Sequence, residues 1–188
     1  MNRRQMISTL GVAAAGGAAL AMPARAEKVA TGMGTDNAKA WMTDTVKIGS
    51  LSLLASRQAV DKAHGKMTKQ FAGWEVAEQE TVGDIMKSMM PKAPQPRGAL
   101  NPPTDAEAMK VLDDDAKAKL TDLKDKSGAD FDKAFVSLEL DGHKKLLTVQ
   151  EDYLKLGTDP LTLDVAKLVR GMVKEHIDHL DAIMAQMG

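Results

Sequence analysis

Cysteine is absent from all 188 residues. Its absence excludes disulfides, thiolate metal sites, iron–sulfur clusters and cysteine nucleophiles together, so stability must come from packing. Strand signals are nearly absent as well: there is no alternating Val/Ile/Thr/aromatic run and no Asn-Gly or Asp-Gly turn between two apolar runs. Three catalytic signatures are missing, namely a glycine-rich phosphate loop, a His-Glu-x-x-His pair and a Gly-x-Ser-x-Gly turn. Ser50, Ser52 and Ser56 fit close-packing or exposed positions on a helix, so nucleophilic hydrolysis has no support and a non-catalytic role is expected. No apolar run reaches the roughly 20 residues that a membrane-spanning helix needs.

The longest weakly apolar stretch, from Thr9 to Met22, is part of a targeting signal instead. It follows the twin arginine of Asn2-Arg3-Arg4-Gln5-Met6-Ile7 and precedes Ala24-Arg25-Ala26, which fits the small-x-small pattern of a signal-peptidase site. Residues 1–26 are therefore expected to be a twin-arginine-type signal, cut near Ala26/Glu27, and the mature chain periplasmic or otherwise exported. Cleavage removes Arg3, Arg4 and Arg25 but no acid, taking the formal charge from −1 to −4. A mildly acidic chain with lysines and acids interleaved along its helices offers no nucleic-acid-binding face. Residues 27–35, with Gly32 and Gly34, read as a flexible tail, and residues 36–188 as one domain.

Ala, Leu, Met, Lys, Asp and Glu dominate that domain, which makes the expected class all-α. The first helix starts near Asp36 and stops near Ala63 and Gly65, with a face of small residues around Trp41, Ile48, Ser52, Ala55 and Ala59. The second, about Lys66 to Met90, carries the stripe Met67, Phe71, Trp74, Glu78, Val82, Ile85 and Met89, with Glu75 to one side. Five of the seven prolines then fall between Pro91 and Pro103, marking a long connection. After it Thr104-Asp105-Ala106-Glu107 is a capping box for a short helix to Leu112, and Asp113 caps a further one through Lys126, which Ser127-Gly128 ends. A long helix from about Ala129 to Leu156 has Phe131, Phe135, Leu138, Gly142, Leu146, Val149 and Tyr153 on one face and His143 on the other. Gly157 stops it, Thr158 or Asp159 caps the last helix, and Pro160 opens that helix. Its stripe is Val165, Val169, Met172, His176, Leu180, Ile183 and Met187.

Four long helices, with a tight turn in the first pair and a proline-rich crossover carrying a short extra helix, describe an antiparallel four-helix bundle of the ferritin-like kind. An ionisable ring such as His176 on a packing face needs a partner. Glu78, His143 and His176 are the candidate metal ligands, with Glu75, Glu139 and His179 as weaker ones. The spacings Glu75-x-x-Glu78, Glu139-x-x-x-His143 and His176-x-x-His179 supply two to four ligands for one Zn, Fe or Cu ion, but no Glu-x-x-His pair for a di-iron cage. The favoured expectation is a buried Glu78–His176 pair that holds the helices in register, in a non-catalytic binding or stress-related envelope protein, with metal binding as the alternative. Met86, Met89 and Met90 form a soft i, i+3, i+4 group suited to Cu(I), though they serve equally as core filler.

Phe71-Ala72, Glu78, the run Ser127-Gly128-Ala129-Asp130-Phe131-Asp132-Lys133-Ala134-Phe135, His143 and Glu175-His176 together resemble the bacterial exported family catalogued as domain of unknown function 4142. The likeness covers roughly Trp41 to Met184, and its most specific piece is Ser-Gly-x-x-Phe-Asp-x-x-aromatic. It implies a ferritin-like bundle, usually exported, with no established activity. The resemblance aligns Glu78-Gln79 with a carboxylate–histidine pair, and His143 and His176 with histidines of the fourth long element and the last helix. It places Thr45 or Lys47 where a glutamate is common.

Overall fold

The structure, a computed structural model, describes residues 36–90 and 98–187. The expected signal and tail lie outside the described residues, as do Pro91, Pro94 and Pro96. Six helices make up the described chain, with no strand among them. They are α1 (Asp36–Lys62), α2 (Lys66–Met89), α3 (Asp105–Lys110), α4 (Asp114–Asp125), α5 (Gly128–Leu156) and α6 (Pro160–Gln186). None is long and apolar enough to cross a membrane.

Local chemistry sets the helix ends. The Thr104 hydroxyl accepts from the Glu107 backbone N–H while the Glu107 carboxylate accepts from the Thr104 N–H, closing the capping box of α3. Asp113 and Asp159 cap α4 and α6 through their side chains, and Pro160 fills the first turn of α6, where no amide hydrogen is needed. Gly128 does not end α4; it is the first residue of α5, with φ of 58°, a left-handed conformation that favours glycine. Gly65 likewise opens α2 rather than closing α1. Its N–H, and that of His64, donate to the buried Asp132 carboxylate at 2.6 and 3.0 Å. The Phe-Asp step of the glycine-serine motif thus pins the α1–α2 turn to α5.

α1, α2, α5 and α6 form the bundle. α1 packs on α2 and α5, and α6 packs on α5 and α2, so α1 and α6 lie on one diagonal. Cross-helix contacts run in opposite senses throughout: Trp41 with Gln150 and Ser52 with Glu139, Trp74 with His179 and Glu78 with His176, Tyr153 with Thr162 and His143 with His176. Every neighbouring pair is therefore antiparallel, while α2 and α5 run parallel. A parallel pair requires the chain to travel back along the bundle, about 36 Å for a 24-residue helix such as α2. α3 and α4 make that return along α1, so the crossover holds two helices. Their Ala108, Leu112, Ala116, Leu120 and Leu123 are buried in the core, and Arg57 of α1 ties down Glu80, Asp105 and the Pro103 carbonyl.

The interior is layered along the axis. Phe71, Phe131, Phe135, Leu180 and small α1 residues such as Ala55 and Ala59 fill the end nearest the α1–α2 turn. Leu146, Val169 and Val173 form an apolar band further down. Ala38, Trp41, Met42, Met86, Tyr153 and Ala166 close the far end. Between the phenylalanine layer and the apolar band the core is polar. The phase of α2 departs from its apolar stripe for this reason. Its buried residues are Thr68, Phe71, Ala72, Glu75, Gln79 and Met86, while Trp74 is 47% exposed and Ile85 37%. The small face that α1 presents here, Gly49, Ser52 and Ser56, accommodates polar side chains and would leave a void beside alanine-sized ones.

Candidate metal centre

Each long helix contributes to the polar layer: Ser52 and Ser56 from α1, Glu75, Glu78 and Gln79 from α2, Glu139 and His143 from α5, and His176 from α6. Glu75, Glu139 and His143 are no more than 1% exposed, and His176 is 4% exposed. Phe71 covers both imidazoles edge-on, with ring centroids 5.2 Å from His176 and 6.1 Å from His143.

Glu75 sits at the centre. Its Oε1 accepts from Gln79 Nε2 at 2.8 Å and lies 2.6 Å from Ser52 Oγ. The same hydroxyl oxygen is 2.6 Å from Glu139 Oε2. A serine carries one hydrogen, so it can donate to only one carboxylate, and the other carboxyl must supply a hydrogen of its own. Glu139 is the protonated member. Burial, reinforced by the negative charge of Glu75, pushes its pKa up to about 8. For Glu75 burial acts upward too, but His143 and His176 outweigh it and hold the carboxyl well below its ordinary range. The chain of hydrogen bonds therefore runs from Glu139 to Ser52 to Glu75.

The second oxygen of Glu75 is different. Glu75 Oε2 is buried and has no hydrogen-bond partner, although His176 Nδ1 lies 2.8 Å away and His143 Nε2 3.4 Å away, close but off the N–H axes. The two ring nitrogens face each other at 3.1 Å. Thus three donor atoms, Glu75 Oε2, His143 Nε2 and His176 Nδ1, converge on one point. On the far side of each ring the remaining nitrogen has a neighbour. His143 Nδ1 donates to the Glu139 carbonyl at 2.8 Å, and His176 Nε2 lies 2.7 Å from Glu78 Oε2. Burial alone would lower the pKa of His176, yet Glu75 and Glu78 beside it win and push it up to about 10. Burial likewise acts downward on His143, yet Glu75 beside it raises its pKa overall, so without an ion the carboxylates hold a proton between the two facing nitrogens.

Of the residues singled out in the sequence, Glu75, His143 and His176 supply the converging atoms. Glu78 stands one shell out with 38% of its side chain exposed, and Glu139 lies below, its Oε2 3.6 Å from His143 Nδ1. His179 is outside the cluster, against Trp74 with ring centroids 5.8 Å apart. Met86 is buried in the far apolar end beside Trp41 and Tyr153, away from the histidines. Ser52 and Gln79 were not marked by the sequence as site residues. Their signal is the i, i+4 spacing of Ser52 with Ser56 and of Glu75 with Gln79, which repeats the phase of Phe71 and not that of Trp74.

The family model described as "Domain of unknown function (DUF4142)" matches residues 23–183, starting before the Trp41 to Met184 span of the resemblance. Among solved structures, the chain is similar to the crystal structure of a DUF305 fragment from Deinococcus radiodurans. The TM-score is 0.64 at 14% identity, covering 81% of this chain and 97% of that one, a likeness of fold. No curated protein matches the chain.

Proposed function

The chain belongs to the family of domain of unknown function 4142, a description that states no chemistry, and we propose that it is an exported bundle protein that holds one divalent first-row transition-metal ion in its polar core layer. The observation that carries this reading is the triangle of Glu75 Oε2, His143 Nε2 and His176 Nδ1, with sides of 2.8, 3.1 and 3.4 Å. Metal–nitrogen and metal–oxygen bonds of about 2.0–2.1 Å put tetrahedral donors roughly 3.3 Å apart, so the triangle is close to one face of such a site. Glu75 Oε2 is buried with no well-aligned hydrogen bond, its neighbours being the two imidazole nitrogens at 2.8 and 3.4 Å, and an ion held by all three atoms would satisfy it.

The donor set of two imidazoles and one carboxylate suits Zn, Cu or Fe, with Cu and Zn held most tightly on general affinity grounds. Both imidazoles are oriented for it. His143 keeps its hydrogen on Nδ1 through the Glu139 carbonyl, and the Glu78 carboxylate, 2.7 Å from His176 Nε2, favours a hydrogen on that nitrogen. An ion would displace the proton between the facing nitrogens and release it to solvent, leaving both as ligands. Gln79 and Ser52 hold Glu75 Oε1 and so aim Oε2 inward. With Glu139 neutral, a divalent ion balances the charges of Glu75 and Glu78, which supports a single ion rather than a di-metal cage.

The twin-arginine leader supports an envelope location, and that route carries proteins already folded, which suits a site assembled from four helices. The ferritin-like arrangement supports the same reading, since bundle cores of that kind build metal sites from facing helices. The test is elemental analysis of the mature protein isolated from its native envelope, alongside Glu75→Gln and His176→Gln. One equivalent of Zn, Cu or Fe is expected in the wild type and less than a tenth of that in either variant. Metal-free wild type, or metal retained in both variants, overturns the reading.

A further inference from the structure

One member of the cluster reaches solvent and the others do not. Glu75, Glu139, His143 and His176 are all buried, whereas Glu78 keeps 38% of its side chain in solvent while its Oε2 is buried, without a hydrogen bond, 2.7 Å from His176 Nε2. Among the described members of the cluster, Glu78 alone reaches from water to the ring. It lies in the seam between α2 and α6, helices that meet less extensively than the α1–α2, α1–α5 and α5–α6 pairs.

The seam is closed above and below this carboxylate. One turn toward the α1–α2 turn, Trp74 bridges from α2 to His179 of α6, and the His179 Nδ1 beneath it is buried with no hydrogen-bond partner. One turn the other way, Val82 packs against the band of Leu146, Val169 and Val173. Trp74, Glu78 and Val82 are spaced i, i+4, i+8, so they share one edge of α2, with a charged opening between two apolar contacts. The Trp74 contact is the weaker of the two, since that ring is 47% exposed.

We infer that ions reach and leave the core through this α2–α6 window, with Glu78 the first carboxylate they meet and the Trp74–His179 contact the flap that limits passage. This rests on the metal reading above and adds its route and its rate control. A carboxylate at the mouth draws a cation in and hands it one ring further, to the nitrogens of His176 and His143 and to Glu75. Displacing a partly exposed ring is a small local motion that leaves the four-helix packing intact.

The mature protein reconstituted with Zn²⁺ is followed for uptake and for chelator-driven release, in wild type, Trp74→Ala, Trp74→Phe and Ile48→Ala. The last lies on the opposite side of the bundle, where Ile48 faces Gly142 across the α1–α5 seam. Trp74→Ala is expected to speed both uptake and release about tenfold with affinity changed less than twofold, as for removal of a gate. Trp74→Phe is expected to restore most of the wild-type rates, and Ile48→Ala to leave them unchanged. Equal rates in wild type and Trp74→Ala, or acceleration by Ile48→Ala alone, overturn the route. Deuterium exchange at the imidazole C2 positions of the zinc-free protein separates two failures. If the wild type takes up Zn²⁺ but neither release nor His176 exchange responds to Trp74→Ala, only the route falls. If it takes up no Zn²⁺, the metal reading falls and the ion route with it, whatever the exchange shows.

Discussion

Two polar layers lie in the same bundle, separated by the apolar band of Leu146, Val169 and Val173, and they are built on opposite plans. In the one near the far end, Trp41 Nε1 donates to Gln150 Oε1 at 2.7 Å and Gln150 Nε2 donates to Thr45 Oγ1 at 3.0 Å. Tyr153 stacks on Trp41 and reaches Thr162 Oγ1 at 2.5 Å, and that hydroxyl donates onward to the Asp159 carbonyl. All of these groups are neutral and each finds a neutral partner. In the other layer three carboxyls and two imidazoles are packed together, a serine hydroxyl is shared by two carboxyls, and one oxygen each of Glu75 and Glu78 is left without a hydrogen bond. A bundle that only needed its helices held in register has the neutral plan available and uses it. The charged plan is costly to bury, because ions lose several kcal/mol of hydration each, and its spare donor atoms point at one another. The contrast fits a structural role for the first layer and is the ground on which ligand chemistry is proposed for the second.

The largest expected effect breaks this contrast through the metal. Zn²⁺ at about a thousandfold excess over its dissociation constant is expected to stabilise the wild type by roughly 4 kcal/mol, by mass action alone. Denaturant unfolding of Glu75→Gln is expected to show no Zn²⁺-dependent gain, with zinc-free stability a few kcal/mol below wild type because the buried imidazoles lose the carboxylate between them. The reverse variant attacks the neutral layer. Gln150→Ala strands the Trp41 N–H and opens a gap, so it is expected to cost about 3 kcal/mol. That is a fall in Tm of roughly 10 °C, with zinc stoichiometry unchanged.

The third sharpens the contrast by pH, in zinc-free protein. Glu139 binds its proton more tightly folded than unfolded, with a folded pKa of about 8 against an ordinary value of 4.5. Its contribution to stability is complete below the unfolded pKa and is lost as pH rises through 8, with a slope of at most about 1.4 kcal/mol per pH unit. His176, at about 10, acts in the same direction over a higher window. Stability measured by urea titration should therefore fall from pH 5 to 8, and Glu139→Gln should flatten that part of the curve. Gln150→Ala should shift the curve down without changing its shape. The smallest effect concerns Gly49. A methyl there would come within 2.5 Å of Gln79 Oε1, so Gly49→Ala is expected to cost about 1 kcal/mol or less, as overpacking offsets the gain in helix propensity. Its clearer readout is zinc affinity, expected to weaken severalfold as Gln79 releases Glu75 Oε1.

The elements were legible in the sequence where a local rule decides them. Thr104 with Glu107, Asp113, and Asp159 with Pro160 mark helix starts by chemistry confined to four residues, and the structure places caps at each. The last helix was legible too, since Val169, His176, Leu180 and Ile183 keep a clean period around one polar residue. α2 was less so. Its inward face carries Glu75 and Gln79, so the apolar count favoured the neighbouring edge with Trp74, Glu78 and Ile85. α5 shows the same effect, with Glu139, His143 and Gln150 on the buried face. Periodicity of apolar residues finds a core only where the core is apolar, and the candidate site is where it is not. Gly128 misled in another way, because a left-handed glycine ends many helices but here starts one.

The central claim is tested most directly by diffraction from crystals of the zinc-loaded protein at the zinc absorption edge. One anomalous peak is expected about 2.0–2.1 Å from Glu75 Oε2, His143 Nε2 and His176 Nδ1, with Glu78 still on His176 Nε2. A peak at surface residues alone, or none between the two imidazoles, would contradict it.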